Sequence, residues 1–63
     1  MTYSILESGN LVASFDEADA GQAALERLAA ASPEARESLL LVAIDADGAI
    51  VSDCAPGERV VPA

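Results

Sequence analysis

Residues 39–44 read "LLLVAI", six apolar residues in succession. A strand with one face in water alternates apolar and polar residues, because successive side chains point to opposite faces of the sheet. An unbroken run therefore asks for cover on both faces. The run is far shorter than the roughly 20 apolar residues a membrane helix needs. Little of the remaining chain is available as cover, since a domain near 60 residues buries only about 60% of the surface its unfolded form exposes. Disulfides and metals, the usual staples of small folds, are not on offer: among the 63 residues Cys54 is the one cysteine and histidine is absent. At 52% apolar residues, residues 1–63 are expected to form one domain with more apolar surface than its own core can bury.

The segments around the run supply its partners. "YSILES" and "LVASF" flank Gly9-Asn10 and predict a hairpin, because both turn residues tolerate positive φ. A two-residue loop there would place Ser8 opposite Leu11, Leu6 opposite Ala13 and Ser4 opposite Phe15. A helix should follow from Asp16 as N-cap, with Asp19 at the capping-box position and acidic residues at the positive end of the helix dipole. Gly21, Ala24, Leu25, Leu28 and Ser32 share one helical face. Gly21 lowers helix propensity by about 1 kcal/mol relative to alanine, which makes sense where the axis lies very close to a sheet. Ser32-Pro33 should end the helix, since the residue before proline avoids the α region, leaving 33–37 as a short helical turn. Leu39–Ile44 is then a strand, "DADG" a hairpin turn with Gly48 as its left-handed residue, and 49–53 the returning strand. Pro56-Gly57 marks a turn, and 59–61 could add an edge strand that Pro62 would limit.

The order ββαββ predicts an α+β fold. A right-handed crossover makes the third strand parallel to the second and antiparallel to the first. It can therefore pair beside the first, in an antiparallel sheet of order 2-1-3-4 with the apolar run central. One helix covers one face. The bulkier set, Leu40, Val42, Ile44 and Ile50 with Leu6, Leu11 and Phe15, is expected beneath it. That would leave Tyr3, Ile5, Val12, Leu39, Leu41, Ala43 and Val51 as an apolar face open to a second copy, homodimers being the commonest oligomers.

Chemistry is scarce in this sequence. Eleven Asp and Glu against three Arg and no Lys give a net charge of −8. That sign opposes nucleic acid and anionic membranes. It would favour a basic protein partner through electrostatic steering, or serve solubility alone. Without His or Lys, serine lacks its common activating partners, so no enzyme, cofactor or metal is expected. "DADG" lacks the ligand spacing of a calcium loop. Cys54 stands beside Asp53, which would raise its pKa and blunt its reactivity. The N-terminus has neither the basic region nor the apolar stretch of a signal peptide. A lone thiol suits a reducing cytoplasm, and the Ala-rich, Lys-free composition suggests a GC-rich bacterial source. The expected function is that of a homodimeric regulatory or accessory module working through protein contacts. The alternative is a small ligand-binding or sensing domain with a pocket between helix and sheet.

Overall fold

A computed structural model describes residues 1–58. Four strands, β1 (Thr2–Glu7), β2 (Asn10–Phe15), β3 (Leu39–Ile44) and β4 (Ile50–Cys54), form one antiparallel sheet in the order β2-β1-β3-β4. A single long helix, α1 (Ala18–Ala31), crosses between β2 and β3 and lies on one face, followed by a 3₁₀ helix, Pro33–Ser38. The expected α+β topology and strand order are those observed. The expected edge strand at 59–61 lies outside the described residues.

The first hairpin turns one residue earlier than Gly9-Asn10. Its loop is Ser8-Gly9, both at positive φ (51° and 84°), as a two-residue type I′ loop demands. Asn10 is drawn into β2 opposite Glu7, and Leu6 pairs with Leu11. The register then shifts by one residue, so that Ile5 pairs with Ala13, Ser4 with Ser14 and Tyr3 with Phe15. This bulge at Val12 sends Phe15 to the same face as Tyr3 and leaves Leu11 on the other.

The second hairpin turns on 45–48. The Asp45 carboxylate accepts the amides of Asp47 (2.9 Å) and Ala49 (3.0 Å), and the Gly48 amide donates to the Asp45 carbonyl at 3.0 Å. Gly48 takes the left-handed conformation expected of it, with φ 84°. The 45–49 loop read from the sequence would set Ile44 opposite Ile50 and Val42 opposite Ser52; Ile44 does pair with Ile50, but a second bulge follows at Val51. Val42 then faces Asp53 rather than Ser52, and Cys54 pairs with Leu41.

The helix begins later than Asp16. Glu17 is the N-cap, extended at φ −115° and ψ 136°, with no side-chain hydrogen bond to the first turn. The expected Asp16 cap is therefore not formed. Asp16→Ala should change stability by about 0.5 kcal/mol or less; a denaturant midpoint reduced by the roughly 1–2 kcal/mol of a lost cap would contradict this start. At the other end the helix stops at Ser32, whose amide donates to the Leu28 carbonyl at 3.0 Å, and Pro33 opens the 3₁₀ turn as expected.

Small residues govern how α1 meets the sheet. Its buried positions are Gly21, Ala24, Leu25 and Ala29. A Cβ placed on Gly21 would lie 3.2 Å from both Leu41 Cδ1 and Tyr3 Cβ, so the glycine is the point of closest approach. The core beneath α1 is Tyr3, Ile5, Leu39, Leu41, Ala43 and Cys54 from the sheet, with Phe15, Ala18 and Leu28 packed around it.

Candidate functional site

That core reverses the expected assignment of the sheet faces. Tyr3, Ile5, Leu39, Leu41 and Ala43, expected on an open dimer face, are buried against α1. Val12 and Val51, from the same expected set, sit in the two bulges and stay half exposed, at 47% and 44%. The reason is complementarity rather than bulk. A helix presenting Gly and Ala can approach a face carrying Ala43 and Cys54 closely, and close approach gives the dense contact that stabilises cores. The two bulges reinforce the choice, because they turn Phe15 and Cys54 toward α1.

The face left open is the one the sequence suggested would be covered. Cross-strand pairing and alternation place three ranks of side chains on it. Leu11, Leu6 and Leu40 form one apolar rank. Ser14, Ser4, Val42 and Asp53 form the middle rank, where the two serine hydroxyls hydrogen-bond at 3.0 Å. Thr2, Ile44 and Ile50 form the third. Leu11 is 66% and Ile50 58% exposed, whereas Val42 on the central strand is 2% exposed. Asp53 is the one carboxylate among these residues; the other ten lie in turns, in the helices or at strand ends. The face is thus apolar and nearly uncharged on a strongly acidic chain.

A second locality lies at the end of β4. The Cys54 thiol is buried at 2% exposure. Its pKa is raised, first by desolvation and then by the carboxylates of Glu58, Asp53 and Glu26. Cys54 Sγ lies 3.9 Å from Gln22 Oε1 on α1. The 55–58 turn folds beside it, with the Glu58 amide donating to the Ala55 carbonyl at 3.0 Å and Gly57 at φ 91°. This confirms the expected Pro56-Gly57 turn. A buried thiol surrounded by carboxylates is held protonated and is a poor nucleophile.

Among the described residues no cavity opens between helix and sheet, and no three acidic, Cys or His side chains converge as a metal site. No helix of the described residues is long and apolar enough to cross a membrane. No family model, no curated protein and no solved structure matches the chain.

Proposed function

We propose that the chain is a non-enzymatic interaction module that works as a homodimer, with two copies packing their open sheet faces together. The observation that carries this reading is the apolar set Leu6, Leu11, Leu40, Ile44 and Ile50 on the open face, with Leu11 and Ile50 largely exposed and the others partly so. Contiguous exposed apolar surface of this kind marks interaction sites on soluble proteins. Both outer strands carry bulges, which disfavour edge-to-edge strand addition, so association through the face is the better geometry. A second copy fits because the face is nearly neutral. All the carboxylates but Asp53 sit elsewhere, and salt screens them beyond about 8 Å at physiological ionic strength. A basic protein, the other partner the sequence suggests, would instead seek the acidic turns and the outer side of α1. The lack of His and Lys supports a role without catalysis, and the lone cysteine supports a reducing, cytoplasmic setting. A ligand-sensing role has less support, because α1 approaches the sheet too closely at Gly21 to leave a pocket there.

The size of the face sets the expected strength. Four strands at about 4.8 Å spacing and six residues at about 3.4 Å rise give a footprint near 400 Å² per copy. Doubled, this is about 800 Å², below the roughly 1,200–2,000 Å² of stable interfaces, so the dimer should be weak and reversible, with a Kd on the order of micromolar to 100 micromolar. Sedimentation equilibrium tests this. Wild type should associate over that range and more tightly as salt is added, because screening relieves like-charge repulsion. Leu40→Glu should remain folded and be monomeric. A wild type that stays monomeric at about millimolar concentration, well above that expected Kd, or a dimer that survives Leu40→Glu, would refute the proposal.

A further inference from the structure

We propose that Asp53 and Ser14 fix how two copies face each other: the twofold axis of the dimer runs along the strands and seats each Asp53 carboxylate against the partner's Ser14 hydroxyl. This rests on the face-to-face dimer proposed above and adds its geometry. The polar groups of the open face lie in one row. Cross-strand pairing sets Ser14 on β2 beside Ser4 on β1, Ser4 beside Val42 on β3, and Val42 beside Asp53 on β4. The row therefore begins with a hydroxyl on one outer strand and ends with a carboxylate on the other. Both end residues are exposed, whereas Ser4 and Val42 between them are buried. The hydrogen bond between the Ser4 and Ser14 hydroxyls uses one of their two protons. With buried Ser4 as donor, exposed Ser14 keeps its proton for an acceptor outside the chain. Among the described residues the Asp53 carboxylate accepts no hydrogen bond.

Sheets that pack aligned keep their strands within about 30° of each other, which leaves two choices of twofold axis in the plane between them. An axis along the strands, through the middle of the face, lays β1 over the partner's β3 and β2 over its β4. The row of one copy then meets the row of the other in reverse, and Asp53 meets the partner's Ser14 at both ends. The two Asp53 carboxylates are three strand spacings apart, roughly 14 Å, beyond the screening length of about 8 Å. An axis across the strands lays each strand over its own copy. Asp53 then faces the partner's Asp53 across a gap of about 10 Å between backbones, with both side chains reaching into it. Like charges so placed repel, and each loses water without gaining a donor. The face is thus self-complementary in one orientation only, and that complementarity favours a second copy of the chain as its cover.

The experiment is a double-mutant cycle on the dimer Kd, measured by sedimentation equilibrium for wild type, Asp53→Ala, Ser14→Ala and the double variant. Asp53→Ala should weaken the wild-type dimer by about tenfold or more, since each of its two contacts is a hydrogen bond to a charged group. In the Ser14→Ala background the same substitution should leave the Kd unchanged or tighten it, because a carboxylate without a donor only costs desolvation. Ser14→Ala also removes the partner of Ser4 within the protomer, but that loss is common to both chains carrying it and cancels in the cycle. Isotope-filtered NOEs give the answer without a variant. Contacts between Leu6 and the partner's Leu40 support the axis along the strands; contacts between Leu40 and the partner's Ile44 in their place overturn it. An equal effect of Asp53→Ala in both backgrounds, or a tighter dimer from Asp53→Ala alone, overturns the orientation and leaves the face-to-face dimer standing. A wild type that stays monomeric overturns both.

Discussion

Leu41→Glu is expected to abolish cooperative folding. Leu41 is fully buried at the centre of β3, between Ile5 on β1 and Cys54 on β4, with α1 above it. A carboxylate there would have no hydrogen-bonding partner, and burying an unpaired ionised group costs several kcal/mol even after relaxation. A 63-residue domain has a total stability of only about 3–9 kcal/mol. The neighbouring substitution Leu40→Glu places the same charge one residue away on the opposite face, at a partly exposed position where it can reach water. Circular dichroism during denaturant titration separates the two: no cooperative transition for Leu41→Glu, and a clear one for Leu40→Glu. The opposite pattern would mean that α1 covers the other face.

Gly21→Leu is expected to have an effect of similar size for a different reason. The first added carbon already meets Leu41 Cδ1 and Tyr3 Cβ at 3.2 Å, with Phe15 Cδ2 at 3.7 Å. Tyr3 Cβ is fixed to the backbone of an inner strand and cannot move aside as a flexible side-chain end would. The remaining leucine carbons have no cavity to enter. α1 must lift from the sheet, exposing Leu25 and Ala29. Gly21→Ala is the milder test. Alanine gains about 1 kcal/mol of helix propensity, but overpacking at this contact costs about 1–3 kcal/mol, so the net should be destabilising. A thermal midpoint raised by Gly21→Ala would show that the helix sits farther from β1 than described.

The strand order was legible because it follows from element order and crossover handedness, and both are written in coarse features: two turn signals, one helical periodicity and one proline stop. Gly21 was legible as a close-approach residue because glycine within a helix has few other uses. The faces were not legible, and particular residues show why. In the central run every residue from Leu39 to Ile44 is apolar, so alternation gives no indication of which side is inward. Bulk favoured Leu40, Val42 and Ile44; the small residues of α1 favoured the other set, and packing against the helix decided. The bulges at Val12 and Val51 leave no composition signal, since a valine in a bulge looks like a valine in a strand. Each shifts the register by one residue, and a one-residue shift moves every later side chain to the opposite face. That is how Phe15 and Cys54 came to lie under α1. The hairpin loop moved for a related reason: serine at φ 51° is an unusual choice, and Gly9-Asn10 offered the more familiar pair. The hydrogen bonds that join the 55–58 turn to α1 were hidden because their partners are 31 and 36 residues apart in sequence.

The most direct test of the central claim is an isotope-filtered NOE experiment on a mixture of carbon-13-labelled and unlabelled chains at high concentration. Cross-peaks then arise only between different copies. The account predicts intermolecular NOEs among the methyl groups of Leu6, Leu11, Leu40, Ile44 and Ile50, and none from Leu25, Leu39 or Leu41. Intermolecular NOEs centred on Leu39 and Leu41, or none at all at concentrations where the protein is dimeric, would contradict it.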